Sequence, residues 1–233
     1  MLAVGSGATA SVAGFGIGSI LTPFLALRVG TPLAVAAVAL PHGLAAALRL
    51  ALLWREVNWS VLKRFGAASA IGSLVGAVAQ PTFGARGLTI ALGALLILTA
   101  AITLSGWLEA RSFPRPVSYA VGGISGLFGG LVGNQGGVRS GALLAFDLSP
   151  RAFIATGTAA ALLVDLARTP VYIWRAGGEI APLVPAIAIM TVGVLLGTFV
   201  GERFLRRLPA QTFRRAVAAA VGLVGLGLIA SEL

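Results

Sequence analysis

From Leu88 to Trp107 the chain reads LTIALGALLILTAAITLSGW without one charged residue, and runs of this kind recur along its whole length. Twenty helical residues span about 30 Å, the thickness of a bilayer's hydrocarbon core. Only 10% of the residues are charged and the mean hydropathy is +0.97, whereas a soluble domain carries charge on about a quarter of its residues. The fold class is therefore an all-α polytopic membrane protein. A transmembrane β-barrel would alternate polar and apolar positions in segments of about ten residues, and no such pattern is present.

The formal net charge of +10 raises the question of nucleic acid. The basic residues, however, sit mostly between apolar runs, where the positive-inside rule expects them, and form no stripe interleaved with aromatics. The partner they indicate is the lipid bilayer, and no nucleic-acid partner is expected. Cysteine is absent, which removes disulfides, thiolate metal sites and sulfur relays together. The opening MLAVGSGATA has neither a basic n-region nor an A-x-A site, so no removable signal peptide is expected.

Pro, Gly and charge divide the apolar runs into ten segments. Five precede a short cytoplasmic linker, Glu109–Pro116: Leu2–Phe15, Ser19–Leu27, Leu33–Trp54, Phe65–Ala79 and Leu88–Trp107. Five follow it: Val117–Leu131, Val138–Phe146, Ala152–Trp174, Val184–Phe204 and Phe213–Ile229. The two sets look like copies. Pro32-Leu-Ala recurs as Pro150-Arg-Ala at an offset of 118, Trp54-Arg55 as Trp174-Arg175 at 120, and Gly72/Gly76 as Gly193/Gly197 at 121. Offsets that drift one way mark a duplication with small insertions, and such repeats are common in transporters. The expected units are residues 1–108 and 117–233, joined by the linker 109–116.

Each copy opens with two short runs around a glycine-rich kink. Ser19–Leu27 is about 14 Å long and cannot cross a core of about 30 Å. Either the kinked pair crosses once as a broken helix, or it dips in and returns as a re-entrant hairpin. The hairpin leaves three transmembrane helices per copy and inverts the second against the first; the broken helix leaves four and keeps them parallel. Loop charge separates the two. With hairpins and inversion, Arg55, Lys63, Arg64, Arg111, Arg115, Arg151, Arg203, Arg206, Arg207, Arg214 and Arg215 share the cytoplasmic side, against Arg28, Arg86 and Arg175 outside, a split of 11 to 3. The parallel arrangement reaches at best 8 to 6. The positive-inside rule favours two inverted repeats with both termini outside.

Ionisable groups at membrane depth are costly and default to functional candidates. Here they are His42, Arg49, Arg139, Asp165 and Arg168. Arg139 follows Gly136-Gly137 at the start of a short helix, in the stretch SGLFGGLVGNQGGVRSG. A helix N-terminus presents unpaired N–H groups and partial positive charge, and arginine adds a planar fork that suits oxyanions. The competing role for Arg139 is to pair with Asp165 or to cap carbonyls. Asn134 and Gln135 in the same kink either donate to an anion or satisfy backbone freed by the break. Thr156 and Thr158 lie on the following helix, where threonine bonds its own backbone as readily as a ligand. Gly16 and Gly18 occupy the matching kink of the first copy. Asp165 and Arg168, three apart on one helix, are expected to neutralise each other, with proton coupling as the lesser alternative. His42, the sole histidine, suits an anion contact or a pH switch; Arg49 lies two turns along the same face. Gly72/Gly76 and Gly193/Gly197 are small-xxx-small packing signals. One histidine and no clustered carboxylates leave no catalytic triad or metal site, so neither an enzyme nor a bound cofactor is expected.

The stretches GFGIGSILTPFLALRVGTPLAVAAVA (Gly14–Ala39) and GNQGGVRSGALLAFDLSPRAFIATGTA (Gly133–Ala159) resemble the sulfite exporter TauE/SafE family, also called the toluene sulfonate uptake permease family. They look like its glycine cluster, apolar stretch, short turn and small-residue helix, once per half, and the resemblance covers essentially the whole chain. The family's threonine-serine pair is Val38-Ala39 in the first copy and Thr156-Gly157 in the second; its proline survives as Pro23, with Gly141 in that place in the second. Polar ligands are thus concentrated in the second half. The resemblance implies secondary transport of sulfite, sulfonates such as sulfoacetate, or related organic anions across the bacterial cell inner membrane. A related thiosulfate uptake group depends on cysteines, which this chain lacks.

The expected partner is thus a small inorganic or organic sulfur anion held between the two glycine-rich breaks near the midplane, with a homodimer compatible with the chain. No nucleotide-binding motif is present, so an ion gradient or the membrane potential would drive movement. An anion channel and a non-transporting membrane scaffold or assembly subunit are the alternatives.

Overall fold

A computed structural model describes residues 1–13, 17–106, 114–204 and 210–233. Among the described residues the regular structure is helical throughout, with no strand: α1 (Leu2–Ala13), α2 (Ile17–Val29), α3 (Thr31–Leu53), α4 (Trp59–Ala79), α5 (Gly84–Ser105), α6 (Arg115–Val132), α7 (Gly136–Leu143), α8 (Pro150–Ile180), α9 (Val184–Phe204) and α10 (Ala210–Ala230). Each helix falls on one apolar segment. Three helical runs are long and apolar enough to cross a membrane: Thr31–Glu56, Trp59–Ser105 and Pro150–Phe199. The last two each hold a pair of long helices joined by a 3-10 turn, at Gln80–Phe83 and Ala181–Leu183. By contrast α2 has 13 residues and α7 only 8. At 1.5 Å per residue these reach about 20 and 12 Å, short of a bilayer core.

The helix starts follow local chemistry. Proline stands in the first turn of α3, α6 and α8, where its missing N–H would be unpaired anyway. Helix α6 accordingly begins at Arg115, inside the segment expected as linker; Trp107–Phe113 lie outside the described residues. Asn58 caps α4 by accepting from the Val61 N–H at 3.1 Å, and Ser149 caps α8 by accepting from the Ala152 N–H at 3.3 Å.

The largest interfaces run between the two halves of the chain: α1 packs on α9, α4 on α6, α5 on α10, and α8 on both α3 and α4. With no water to expel from between lipid-exposed helices, such contacts depend on close van der Waals approach. A methyl group at Gly72 or Gly76 would lie 2.1 or 2.2 Å from a carbonyl oxygen of α6, and one at Gly193 would lie 2.7 Å from Ala3 of α1. These glycines are interface positions, as their spacing predicts.

The bundle has two distinguishable ends. At one, Asn58, Arg115, Tyr119 and Asp147 line a common cleft, and Arg151 approaches Glu56 at 3.7 Å. At the other, Arg175 donates to the Val78 carbonyl at 2.8 Å, and Gly30, Gly84, Arg175 and Glu179 line a second cleft. Helices α6 and α7 form an antiparallel pair: the Tyr119 ring, near the start of α6, lies 5.2 Å from the Phe146 ring, just beyond α7.

Candidate functional site

The break between α6 and α7 is made by Gly133, whose φ of +73° ends α6 in the left-handed region that favours glycine. Gly18 of α2 meets this turn from the other half. A methyl group at Gly18 would sit 2.4 Å from the Gly133 carbonyl oxygen, so only glycine permits the approach. Beside it, Ser19 Oγ donates to Asn134 Oδ1 at 2.9 Å. The two glycine-rich kinks anticipated from the sequence therefore touch at Gly18, Ser19, Gly133 and Asn134. Gly16 lies outside the described residues.

A buried helix break strands carbonyls on one side and N–H groups on the other, and each orphan is costly away from water. On the carbonyl side, three of the last four oxygens of α6 are held by side chains from other helices. Arg168 Nη1 donates to the Gly129 oxygen and Tyr172 Oη to the Gly130 oxygen, while Gln80 Nε2 donates to the Leu131 oxygen at 2.9 Å. A cation also suits the negative pole of α6. The N–H side is different. Gly136 and Gly137 open α7, and Asn134, Gln135 and Arg139 are 2%, 4% and 7% exposed. Asn134 Nδ2, both side-chain polar atoms of Gln135, and Arg139 Nε and Nη1 have no hydrogen-bond partner. Five buried polar atoms, four of them donors, are left around the positive pole of one short helix. Gly137 packs so tightly on α5 that a methyl there would lie 2.4 Å from Thr99 Cγ2. Across from Arg139, a methyl on Gly157 would lie 3.8 Å from Nε and 3.3 Å from Leu143 Cδ1, so the α8 backbone lies directly beside the guanidinium.

The nearest carboxylate is already committed. Asp165 Oδ1 accepts from Arg168 Nε at 3.0 Å and Nη2 at 2.7 Å, which realises the expected pair three residues apart. Its Oδ2 lies 2.5 Å from His42 Nδ1 of α3. Asp165 and Arg49 both act on Arg139 electrostatically, but among the described residues no carboxylate lies within ion-pair distance of Arg139. Of its two competing roles, pairing with Asp165 is therefore not the one observed.

The other anticipated residues divide. Asn134, Gln135, Gly136, Gly137 and Arg139 are adjacent, and Gly18 adjoins them. His42 belongs instead with Asp165 and Arg168. Thr156 Oγ1 accepts from the Asn58 N–H at 3.0 Å and so holds the turn before α4. Arg49 is buried within electrostatic reach of Arg139. Ser19, Gln80, Thr99, Gly157 and Tyr172 were not singled out by sequence. Only Tyr172 carried a signal, standing four residues after Arg168 and thus on its face. No cluster of metal-ligating side chains occurs among the described residues.

Two clefts open at opposite ends of the bundle, and one of them reaches residues that hold the break. One, of about 440 Å³, is lined by Gln80 and Tyr172, both of which hold carbonyls of the break. The other, of about 260 Å³, is lined by Asn58, whose N–H is bound to Thr156 beside Gly157.

A family model described as sulfite exporter TauE/SafE matches residues 1–228. No curated protein and no solved structure matches the chain.

Proposed function

The chain belongs to the sulfite exporter TauE/SafE family, and on that premise we propose that it is a secondary transporter of sulfite, sulfonates such as sulfoacetate, or related organic anions in a bacterial inner membrane. The anion sits at the N-terminus of α7, in contact with Arg139 and the amides of Asn134 and Gln135, where the two glycine-rich kinks meet. One observation carries this: Arg139 is a buried guanidinium whose Nε and Nη1 have no partner, beside three further unpaired atoms of the Asn134 and Gln135 amides, two of them donors. Leaving such donors dry and unpaired is costly, and an oxyanion with three coplanar or tetrahedral oxygens satisfies several at once.

The architecture we propose around it is a pair of inverted repeats, each a re-entrant hairpin followed by three crossings. Supporting this, α6 and α7 return to the end at which they start, and α1 runs parallel to α9, with Gly193 against Ala3 and Val194 against Gly7. Helix α2 then ends at Val29, at the end where α9 begins. Arg28, Arg86 and Arg175 would face outward and the other loop cations the cytoplasm. An anion leaving a negative interior gains about 2.3 kcal/mol per charge per 100 mV, so export needs no further coupling, whereas accumulation does.

Binding of sulfite and sulfoacetate to wild type, Arg139→Ala and Arg139→Lys tests the site. Losing charge-assisted hydrogen bonds of about 1.5–3 kcal/mol predicts roughly 10- to 150-fold weaker binding in Arg139→Ala. Lysine restores the charge without the fork and recovers part of the loss. Equal affinity of wild type and Arg139→Ala for an anion that wild type binds would refute the site. Uphill accumulation in proteoliposomes separates a transporter from a channel, and absence of any anion flux favours a scaffold.

A further inference from the structure

The cluster formed by His42, Asp165 and Arg168 is not part of the anion site just described, yet it ties the two halves of the chain together. His42 is on α3 of the first half; Asp165 and Arg168 are on α8 of the second. The helices approach closely at this point, because Gly43 leaves its face open: a methyl there would lie 3.4 Å from Asp165 Cβ. Arg168 supplies two hydrogen bonds to Oδ1 and fixes the carboxylate as an anion, and Oδ2 is left to His42 Nδ1 at 2.5 Å. An ionised carboxylate can only accept, so Nδ1 carries hydrogen and donates. The basic lone pair is then on Nε2, which has no hydrogen-bond partner among the described residues. The imidazole itself is partly exposed, with 17% of its side-chain surface accessible against 3% for Asp165.

Resting on the transporter reading above, we propose that His42 Nε2 is the proton-binding site that couples anion movement to a proton gradient, with Asp165 as its positioning residue. The step is a single N–H bond made and broken: a proton from water on one side is taken at Nε2 and released, unchanged, to water on the other. With the Asp165 and Arg168 charges cancelling, the neutral imidazole leaves the cluster at zero and the protonated one leaves it at +1. Arg139 Nε lies beside Gly157 of α8, the helix that carries Asp165 about two turns further on, and so lies within the field of Asp165. Protonation of His42 therefore raises the potential felt by an anion at Arg139, and by reciprocity a bound anion favours the proton. Among the described residues no other group competes for this role. From α8 only Asp165 and, behind it, Arg168 and Tyr172 face the imidazole. Arg49 lies two turns along α3 and Arg139 on α7, both already cationic. Arg28 of α2 and Arg86 of α5 belong to the far end, Arg115 and Tyr119 of α6 and Glu56 to the near end, and the described side chains of α9 include no ionisable group.

The test is calorimetric binding of sulfoacetate to the full chain at several pH values, each in two buffers of different ionisation enthalpy. The sulfonate holds no proton near neutrality, so protons taken up are taken up by the protein. Wild type is expected to take up as much as one proton per anion, with affinity rising by at most about tenfold for each pH unit of acidification. His42→Gln keeps a donor to Asp165 without a titratable nitrogen, and is expected to bind with no proton uptake and no pH dependence. Proton uptake undiminished in His42→Gln overturns the proposal, as does wild-type binding without uptake. Loss of all sulfoacetate binding in His42→Gln also overturns it, because the imidazole would then be an anion contact. In each of these cases the Arg139 site stands or falls separately on Arg139→Ala, and a wild type that binds no sulfoacetate counts against both.

Discussion

Gly18→Ala isolates the contact on which the site's shape depends. The added methyl would be placed 2.4 Å from the Gly133 carbonyl oxygen, while ordinary contact begins near 3.4 Å. Helix α2 and the turn after α6 must therefore separate by about 1 Å, and backbone, unlike a side-chain tip, cannot swing aside. Overpacking of this kind costs about 1–3 kcal/mol. Against it, alanine in place of glycine inside a helix gains about 1 kcal/mol. The net loss is about 1–2 kcal/mol at the upper half of that range, or a fall in melting temperature of about 2–8 °C for a chain of this length. The control is Gly227→Ala in α10, where a methyl meets nothing within 4 Å. It keeps the helix gain without the clash, so its melting temperature is expected to hold or rise. Thermal unfolding of the two variants beside wild type, in one detergent, checks the difference in sign. Because Gly133 precedes Asn134, the same 1 Å shift pulls Asn134 and Gln135 out of register with Arg139, and sulfoacetate affinity falls with stability. A Gly18→Ala protein that melts and binds like wild type would refute the close approach of the two kinks.

Two further substitutions test structural contacts, one at the centre and one at the end of the bundle. Tyr172→Phe removes the donor to the buried Gly130 carbonyl and is expected to cost about 1–3 kcal/mol, seen as a lower melting temperature with α8 otherwise intact. Arg151→Gln breaks a pair whose side chains are 76% and 41% exposed at 3.7 Å, and is expected to change stability by less than about 0.5 kcal/mol, within the error of the same melt.

What was legible in the sequence was whatever local pattern determines. Apolar runs punctuated by Pro and Gly located the α-helices of the described residues, because a chain in lipid must satisfy its backbone within each segment. The ends moved where capping intervened: α8 starts at Pro150 under the Ser149 cap and continues to Ile180, past a departure from helical geometry at Ala176. Gly72/Gly76 announced an interface by spacing alone, and Asp165 announced Arg168 by being three residues away. What could not be read were bonds between distant positions. His42 and Asp165 are 123 residues apart, and Ser19 and Asn134 are 115 apart. No periodicity specifies such pairs, because they arise only when α3 meets α8 and α2 meets the break. Thr156 shows the same limit: its hydroxyl serves Asn58, 98 residues earlier, a partner that no property of the AFIATGTAA segment implies.

The long-range bonds bear most on the question that sequence left open, whether Arg139 pairs with Asp165. The choice is settled by competition among three basic side chains for one carboxylate. Arg168 holds Asp165 in two hydrogen bonds at no cost in sequence separation, and His42 takes the remaining oxygen across the helix interface. Arg168 is doubly employed, since its Nη1 also closes the Gly129 carbonyl, so it cannot be released to let Arg139 in without stranding the end of α6. The two poles of the broken helix are thereby unequal by construction. Three carbonyls of the one pole are held by Arg168, Tyr172 and Gln80, whereas the N–H pole keeps two guanidinium nitrogens and three atoms of two amides unmatched. On the transporter reading proposed above, that inequality leaves the donors available, because donors saturated by the protein's own acceptors would have to be broken free before an anion could bind.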